Sequence, residues 1–143
     1  ESNLHLIIAN SKIEHSTEAI VANVKQFKEK NEEKFSNLCK EESELINNVL
    51  ILLKNNDLSG LGKNMLKNQE YLETIGISNE KLRSMIELAQ ESSFGAKITG
   101  AGGGGCIIAL TDESNLENVV EQFKKKNYEC FSVKIDFKGL DTF

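Results

Sequence analysis

Apolar positions near the start of the chain predict a strand followed by two helices. The apolar run Leu4–Asn10 has the length and composition of a buried strand. Ser16 or Thr17 can then cap a helix with apolar residues every three or four positions. The next helix, 32–54, carries an apolar stripe so broad that we expect neighbouring helices to cover it.

Two more helical segments complete a run of four. The first begins at Asp57 or Ser59 and ends at Gly76, because glycine readily adopts the left-handed conformation that ends a helix. The second begins after Ser78, which we interpret as its cap, and again carries apolar residues at helical spacing. All four helices are amphipathic, and the connections between them are only a few residues long.

The spacing of apolar residues then changes to that of strands. Two strands, 96–99 and 106–110, flank a glycine-rich run, and a helix follows a cap at Asp112 or Ser114. Residues 128–137 alternate apolar and polar, which predicts a half-exposed strand. With the helical run counted as one crossover, the order is βαββαβ. This order predicts an α+β ferredoxin-like sandwich, with an antiparallel sheet, helices on one face and a multi-helix insertion in the first crossover.

Composition and charge exclude several classes of protein. The net charge of −5 argues against a nucleic-acid-binding protein, which normally presents a basic patch. No apolar run approaches the roughly 18 residues of a membrane-spanning helix, so we expect no membrane contact. The three cysteines lack the spacing of metal ligands, which favours reduced thiols, no metal site and a cytoplasmic protein. We expect one domain over residues 1–143.

The glycine-rich run is the strongest chemical signal in the chain. Five of its six residues, Gly100–Gly105, are glycine, and their exposed N–H groups could surround an anion. A tight hairpin that needs glycine for its geometry, or a flexible linker, are the structural alternatives. The run is not a Walker A loop, since no Gly-Lys-Ser/Thr follows, and a strand rather than a dinucleotide-binding helix comes next.

The residues around this run resemble a known family. The segment Lys97–Cys106 (KITGAGGGGC) resembles the third conserved motif of the GHMP kinases, which include galactokinase, homoserine kinase, mevalonate kinase and phosphomevalonate kinase. Asn68–Leu72, Ile75–Ser78 and Asn10–Val24 resemble the mevalonate kinase branch of that family. The resemblance covers nearly the whole chain, and only 30–62 is generic.

The resemblance implies a set of residues that face a cleft between two domains. In this family the third motif lies near the nucleotide phosphates and the acceptor, and Thr17 matches a threonine at the same place. Its hydroxyl could serve the cleft or cap a helix. Lys12 could hold an anionic substrate, whereas His15 stands where some relatives carry arginine and is not assigned a contact with substrate. The remaining cleft residues are Thr99, Gly100, Ala101, Gly102, Gly103 and Gly104.

The resemblance also implies the reaction and what this chain lacks. The whole protein would transfer the γ-phosphoryl group of ATP to the 5-hydroxyl of mevalonate, with ATP and Mg²⁺ bound mainly by an N-terminal catalytic domain. We find none of that domain's pattern here, so we assign no catalytic residue and no metal ligand and expect the isolated chain to be inactive. Another GHMP kinase, or a non-catalytic ferredoxin-like ligand-binding module, is the alternative; a homodimer is possible. We also expect an exposed apolar patch around residues 99–104.

Overall fold

The computed structural model describes residues 4–135 as four strands and five helices. The predicted order is confirmed, and the predicted helix 32–54 matches at both ends. The last two positions of the predicted final strand lie outside the described residues. In chain order the elements are β1 (His5–Asn10), α1 (Thr17–Lys30), α2 (Glu32–Lys54), α3 (Leu58–Thr74), α4 (Glu80–Gln90), β2 (Gly95–Ile98), β3 (Cys106–Thr111), α5 (Leu116–Lys125) and β4 (Glu129–Lys134).

The strands form one antiparallel sheet in the order β2-β3-β1-β4. β1 is central: Ile7 pairs with Ala109 of β3 on one side and with Ser132 of β4 on the other. Because β1 and β2 are separated by the four helices yet share β3 as a neighbour, the connectivity is that of the split βαβ unit. The ferredoxin-like fold class is therefore confirmed.

The main core lies between one face of the sheet and the helices α4 and α5. Both helices turn an apolar stripe to this face, and Phe123 is its largest fully buried side chain. Strand residues of one parity complete the core, because successive side chains point to opposite faces. The buried members are Ile7, Ala9, Ile77, Leu82, Met85, Ile86, Ala89, Ala96, Ile98, Ile107, Ala109, Val119 and Phe123.

Helix α3 packs against the outer strand β2 at very short range. A Cβ added to Gly62 would lie 2.1 Å from the carbonyl oxygen of Phe94, and one added to Gly95 would lie 2.2 Å from the carbonyl oxygen of Gly62. Glycine at these positions lets the two backbones touch. Gly62, a residue type that disfavours helices, thus serves helix–strand packing.

Gln69 of α3 satisfies a backbone group that the outer strand would otherwise leave unpaired. The N–H of Ile98 donates to Gln69 Oε1 at 2.9 Å, and Gln69 Nε2 donates to Glu73 at 2.9 Å and to Ser78 at 3.5 Å. Gln69 is only 4% exposed. The Asn-Gln segment that resembled the kinase family therefore joins the end of β2 to the residues that precede α4.

The opposite face of the sheet is only partly covered. A second small cluster around Leu61 and Leu110 lies on this side, with residues of α2 and α3 packed against it. Sequence patterns had not predicted helices on this face. At β4, Cys130 packs against the main core, whereas Phe131, paired with Ile8, stays 55% exposed. The apolar side of β4 is therefore turned away from α4 and α5.

The expectation that neighbouring helices cover α2 is wrong for the described residues. No residue of α2 is buried, and Ile46, Leu50, Ile51 and Leu53 are all exposed. The apolar stripe of α2 is broader than the surface on which α1 and α3 contact this helix. None of the helices described between residues 4 and 135 is both long and apolar enough to span a bilayer.

We predict that Gln69→Met destabilises the fold at nearly constant side-chain volume. Methionine cannot accept the Ile98 N–H, and a buried unsatisfied donor costs about 1–3 kcal/mol. The free energy of unfolding, measured by urea denaturation, should fall by this amount. The exposed helical residue Gln26 provides the control, since Gln26→Met should change stability by less than about 0.5 kcal/mol. Equal effects at the two positions would contradict the role given to Gln69.

Candidate functional site

The glycine-rich loop joins β2 to β3 and has an unusual backbone. Four of its glycines have positive φ: Gly100 (+76°), Gly102 (+82°), Gly103 (+74°) and Gly105 (+70°). This region of conformation strongly favours glycine over residues that carry a Cβ. The conformation therefore gives a structural reason for several of the glycines, as the hairpin alternative expected.

Backbone hydrogen bonds hold the loop from two sides. On one side, the Gly103 N–H donates to the carbonyl of Ile77 at 2.7 Å, just before α4. On the other side, the Gly105 N–H donates to Ile13 at 3.2 Å, and the Ser11 N–H donates to Gly105 at 2.8 Å. The loop thus lies between the β1–α1 connection and the α3–α4 connection, so that three segments distant in sequence form one site.

Close packing explains why the middle of the loop has no side chains. A Cβ at Gly102 would lie 2.4 Å from the Ile77 carbonyl oxygen, and one at Gly104 would lie 2.3 Å from that of Ile13. The Gly104 position also places a Cβ only 3.0 Å from Nδ1 of His15. The loop is therefore a fixed, tightly packed turn, which excludes the flexible-linker alternative.

Several N–H groups of the loop have no partner among residues 4–135. Those of Gly100, Ala101, Gly102 and Gly104 donate no hydrogen bond there, although Gly102 and Gly104 are buried. Buried backbone donors are nearly always paired in folded proteins. A set of such donors in consecutive turns can bind an anion. The loop thus combines a rigid backbone with free donors, as a phosphate-binding element requires.

The start of α1 lies beside this loop and carries Thr17. The side chain of Ile20, one turn into α1, would meet a Cβ at Gly103 at 2.5 Å. Ser16 is the N-cap, because its Oγ accepts from the Ala19 N–H at 3.2 Å. Thr17 is therefore not the cap, and its hydroxyl makes no hydrogen bond within the described residues. This hydroxyl is exposed and free for another partner.

The charged residues nearest to the motif do not all face the loop. Lys12 has φ +56°, and its ammonium lies 3.4 Å from the Glu129 carboxylate of β4, with both side chains mostly exposed. Lys97 lines a cleft of about 160 Å³ between α2 and α3 together with Glu42 and Asn68. Burial lowers the pKa of Lys97, and the nearby Glu42 carboxylate opposes this effect. Within the part of the chain described, neither ammonium makes a hydrogen bond or ion pair with a loop residue.

Two residues at the site were underrated or missed by sequence reasoning. His15, to which we gave little weight, lies directly against Gly104. Asn79 was missed because Ser78 looked like the helix cap. The structure shows Asn79 capping α4 and donating to Gly103 as well. The asparagine directly before the helical Glu-Lys-Leu segment was the available signal.

The expected apolar patch around residues 99–104 is wrong. Thr99 and Gly100 are exposed, but no large apolar side chain is exposed in that segment. The exposed large apolar residues described lie on α1, on α2 and in or beside β4. The surface of the loop is made of backbone groups, a threonine and the half-buried Ala101, which suits a polar ligand. Among residues 4–135, no three His, Cys, Asp or Glu side chains are grouped so that they could hold a metal ion.

Comparison with known proteins identifies the family. The family model "GHMP kinases C terminal" matches residues 49–130, which include α3, α4 and the whole glycine-rich loop. The chain belongs to this family. The family resemblance expected from the sequence is thereby confirmed, and residues 99–105, hereafter the GHMP loop, lie within the matched range.

Individual relatives are mevalonate kinases. The enzyme of Methanocaldococcus jannaschii is 38% identical over 74 residues, which are 52% of this chain and 24% of the relative. That of Arabidopsis thaliana is 23% identical over 144 residues, covering 95% of this chain and 38% of the relative. The chain thus spans well under half the length of the curated relatives it matches.

Solved structures give the same picture. The crystal structure of L. major mevalonate kinase in complex with R-mevalonate superposes with a TM-score of 0.85 at 25% identity, covering 92% of this chain and 42% of that one. The mevalonate kinase of Methanococcus jannaschii gives a TM-score of 0.77 at 30% identity, with 92% and 39% covered. A phosphomevalonate kinase of Streptococcus pneumoniae, at 20% identity and a TM-score of 0.80, shows that the fold is shared across acceptors.

Alanine substitutions in the GHMP loop should separate conformational strain from lack of space. Gly100 and Gly102 have similar φ, but a Cβ at Gly100 meets nothing within 4 Å, whereas one at Gly102 meets the Ile77 carbonyl. We predict that Gly100→Ala costs about 1–2 kcal/mol from backbone strain alone. Gly102→Ala should cost about 1–3 kcal/mol more, because the loop must shift. Urea denaturation of both variants measures the difference, and equal losses would contradict the packing described.

Proposed function

We propose that this chain is the C-terminal domain of an ATP-dependent kinase that phosphorylates the 5-hydroxyl of mevalonate, and that the GHMP loop lines its cleft. The observation that carries the proposal is the tightly packed loop in which the N–H groups of Gly100, Ala101, Gly102 and Gly104 have no partner among residues 4–135. Such donors suit phosphate oxygens, and phosphoryl transfer depends mainly on positioning and on stabilisation of charge.

Thr17 is proposed to act beside the loop. Because Ser16 already caps α1, the Thr17 hydroxyl is free to donate to a phosphate or carboxylate oxygen. Thr99, Gly100, Ala101, Gly102, Gly103 and Gly104 form the same wall of the proposed cleft. Lys12 is also proposed as a cleft residue, because the β1–α1 connection that carries it adjoins the loop. Its ammonium pairs with Glu129 in this structure. Such an exposed pair is weak enough for Lys12 to exchange partners.

The remaining machinery is proposed to lie in an N-terminal domain outside residues 1–143. The relatives are more than twice as long as the chain, and the described residues offer no carboxylate cluster for Mg²⁺. ATP would supply the transferred phosphoryl group, with its phosphates against Gly100–Gly104. The metal ligands and the group that orients the attacking hydroxyl would come from the other domain. This chain's contribution is to bind and orient the ATP phosphates and to help exclude water from the cleft.

The choice of mevalonate as acceptor rests on likeness to relatives rather than on a described contact. The curated relatives above are mevalonate kinases, and the L. major structure holds R-mevalonate. The family membership favours a kinase over a non-catalytic ligand-binding module. Another acceptor within the family is the remaining alternative, because the same fold occurs in a phosphomevalonate kinase.

An ADP-release assay tests both the proposed reaction and the proposed location of the catalytic groups in another domain. We predict turnover of mevalonate by the longer protein that includes this chain, and none by residues 1–143 alone. Phosphomevalonate, homoserine and galactose serve as competing acceptors under the same ATP and Mg²⁺ concentrations. Turnover of one of these instead would replace the substrate, and activity of the 143 residues alone would overturn the proposed location of the catalytic groups.

Thr17→Val should reduce activity without weakening the fold. The variant keeps the branched shape but loses the hydroxyl, and a hydrogen bond to a charged group contributes about 1.5–3 kcal/mol. We therefore expect kcat/KM to fall about 10–100-fold, with Thr17→Ser close to wild type. Ser16→Ala is the matched control, because it should cost about 1 kcal/mol of stability through the lost cap and leave kcat/KM unchanged. A loss of stability with unchanged kcat/KM in Thr17→Val would show that Thr17 has a structural role only.

A further inference from the structure

Asn79 connects α4 to the GHMP loop through one side-chain amide. Its Oδ1 accepts from the Leu82 N–H at 3.0 Å, which caps the helix. Its Nδ2 donates to the Gly103 carbonyl at 2.9 Å. The two halves of the amide thus have different tasks: the oxygen caps the helix, and the nitrogen holds the loop.

The bond to Gly103 completes the fixation of that residue. The Gly103 N–H already donates to Ile77, two residues before Asn79, so both polar backbone groups of Gly103 bind the same short segment. The C=O and N–H of a trans peptide point in opposite directions. Holding the Gly103 carbonyl toward Asn79 therefore turns the Gly104 N–H away from Asn79. That N–H is one of the unpaired donors.

We propose that Asn79 is a positioning residue that orients the Gly103–Gly104 peptide so that the Gly104 N–H is available to a phosphate oxygen. The inference rests on the proposed function of the loop and adds a residue outside it. Without the Nδ2 donor, the peptide can rotate at a glycine that carries little conformational restraint. Rotation would move the Gly104 N–H and weaken anion binding while the helix stays intact.

The chemistry of asparagine allows the two tasks to be separated. Asn79→Asp keeps an oxygen to accept the Leu82 N–H, and aspartate caps helices as well as asparagine. It removes the donor to Gly103 and places a carboxylate against that carbonyl. Asn79→Ser is a neutral cap that is one atom shorter and lacks the amide. Asn79→Ala removes both hydrogen bonds of the Asn79 side chain.

The cap of α3 provides a matched control. There Asp57 accepts the Gly60 N–H at 2.8 Å, so Asp57→Asn makes the opposite exchange at another helix.

The test uses residues 1–143 with inorganic tripolyphosphate as the anion, and the Gly104 amide resonance reports binding. Stability is measured in parallel by urea denaturation. We expect the Gly104 resonance to shift on titration of the wild type, and the Kd to rise at least about fivefold in Asn79→Asp and Asn79→Ser. Because both variants keep the helix cap but lose the hydrogen bond to Gly103, their unfolding midpoints should fall less than that of Asn79→Ala. Asp57→Asn should keep the unfolding midpoint and bind as the wild type does. Asn79→Ala should lose both binding and stability.

Three results would overturn the inference. They are unchanged affinity in both Asn79→Asp and Asn79→Ser, a loss of affinity that grows in proportion to the fall in unfolding midpoint across the variants, and no response of the wild-type Gly104 resonance to tripolyphosphate. In the longer protein, kcat/KM for ATP should fall about fivefold or more in Asn79→Asp. If that protein phosphorylates none of the alcohols while the titration behaves as expected, the proposed reaction fails and the positioning role of Asn79 stands.

Discussion

Close backbone contact around the GHMP loop is the constraint on which the rest of this structure depends. The loop has room for no Cβ at Gly102 or Gly104, because carbonyl oxygens of Ile77 and Ile13 occupy that space. Those same carbonyls accept the N–H groups of Gly103 and Gly105. The contact therefore brings together three segments that are far apart in sequence, and the N–H groups of Gly100, Ala101, Gly102 and Gly104 have no partners among the described residues. A rigid loop with free donors follows from one packing arrangement.

The helical insertion supports the loop from behind. Gly62 lets α3 approach β2 closely, and Gln69 then binds the Ile98 N–H immediately before the loop begins. The same side chain reaches Ser78, next to the residue that caps α4. The end of β2 and the segment before α4, which both adjoin the loop, are thus joined through the buried side chain of Gln69. Because a buried polar side chain is stable only when its partners are in place, this arrangement favours one loop position.

Two of the apolar surfaces that remain exposed among the described residues lie on elements other than the loop. The stripe of α2 around Ile46 and Leu50, and the outward face of β4 at Phe131, are not covered within the described residues. The polar character of the loop and the apolar character of these two surfaces indicate different kinds of contact. The loop suits a small polar ligand, whereas removal of hydrophobic faces from water is favourable.

Local patterns in the sequence determined the order of the elements, the fold class and the place of the glycine-rich loop. Helix and strand periods depend on neighbours two to four residues apart, so the sequence was enough to bound α2 at both ends. The family was found by another route, the resemblance of Lys97–Cys106 to a known motif. The tertiary structure alone decided that Ser16 and Asn79, rather than Thr17 and Ser78, cap their helices, that Lys12 pairs with Glu129, and that β4 turns Phe131 outward. Several residues near each helix start could serve as a cap, and alternation does not say which side of a strand is covered. These choices depend on contacts between residues that lie far apart in the chain, and no local pattern records them.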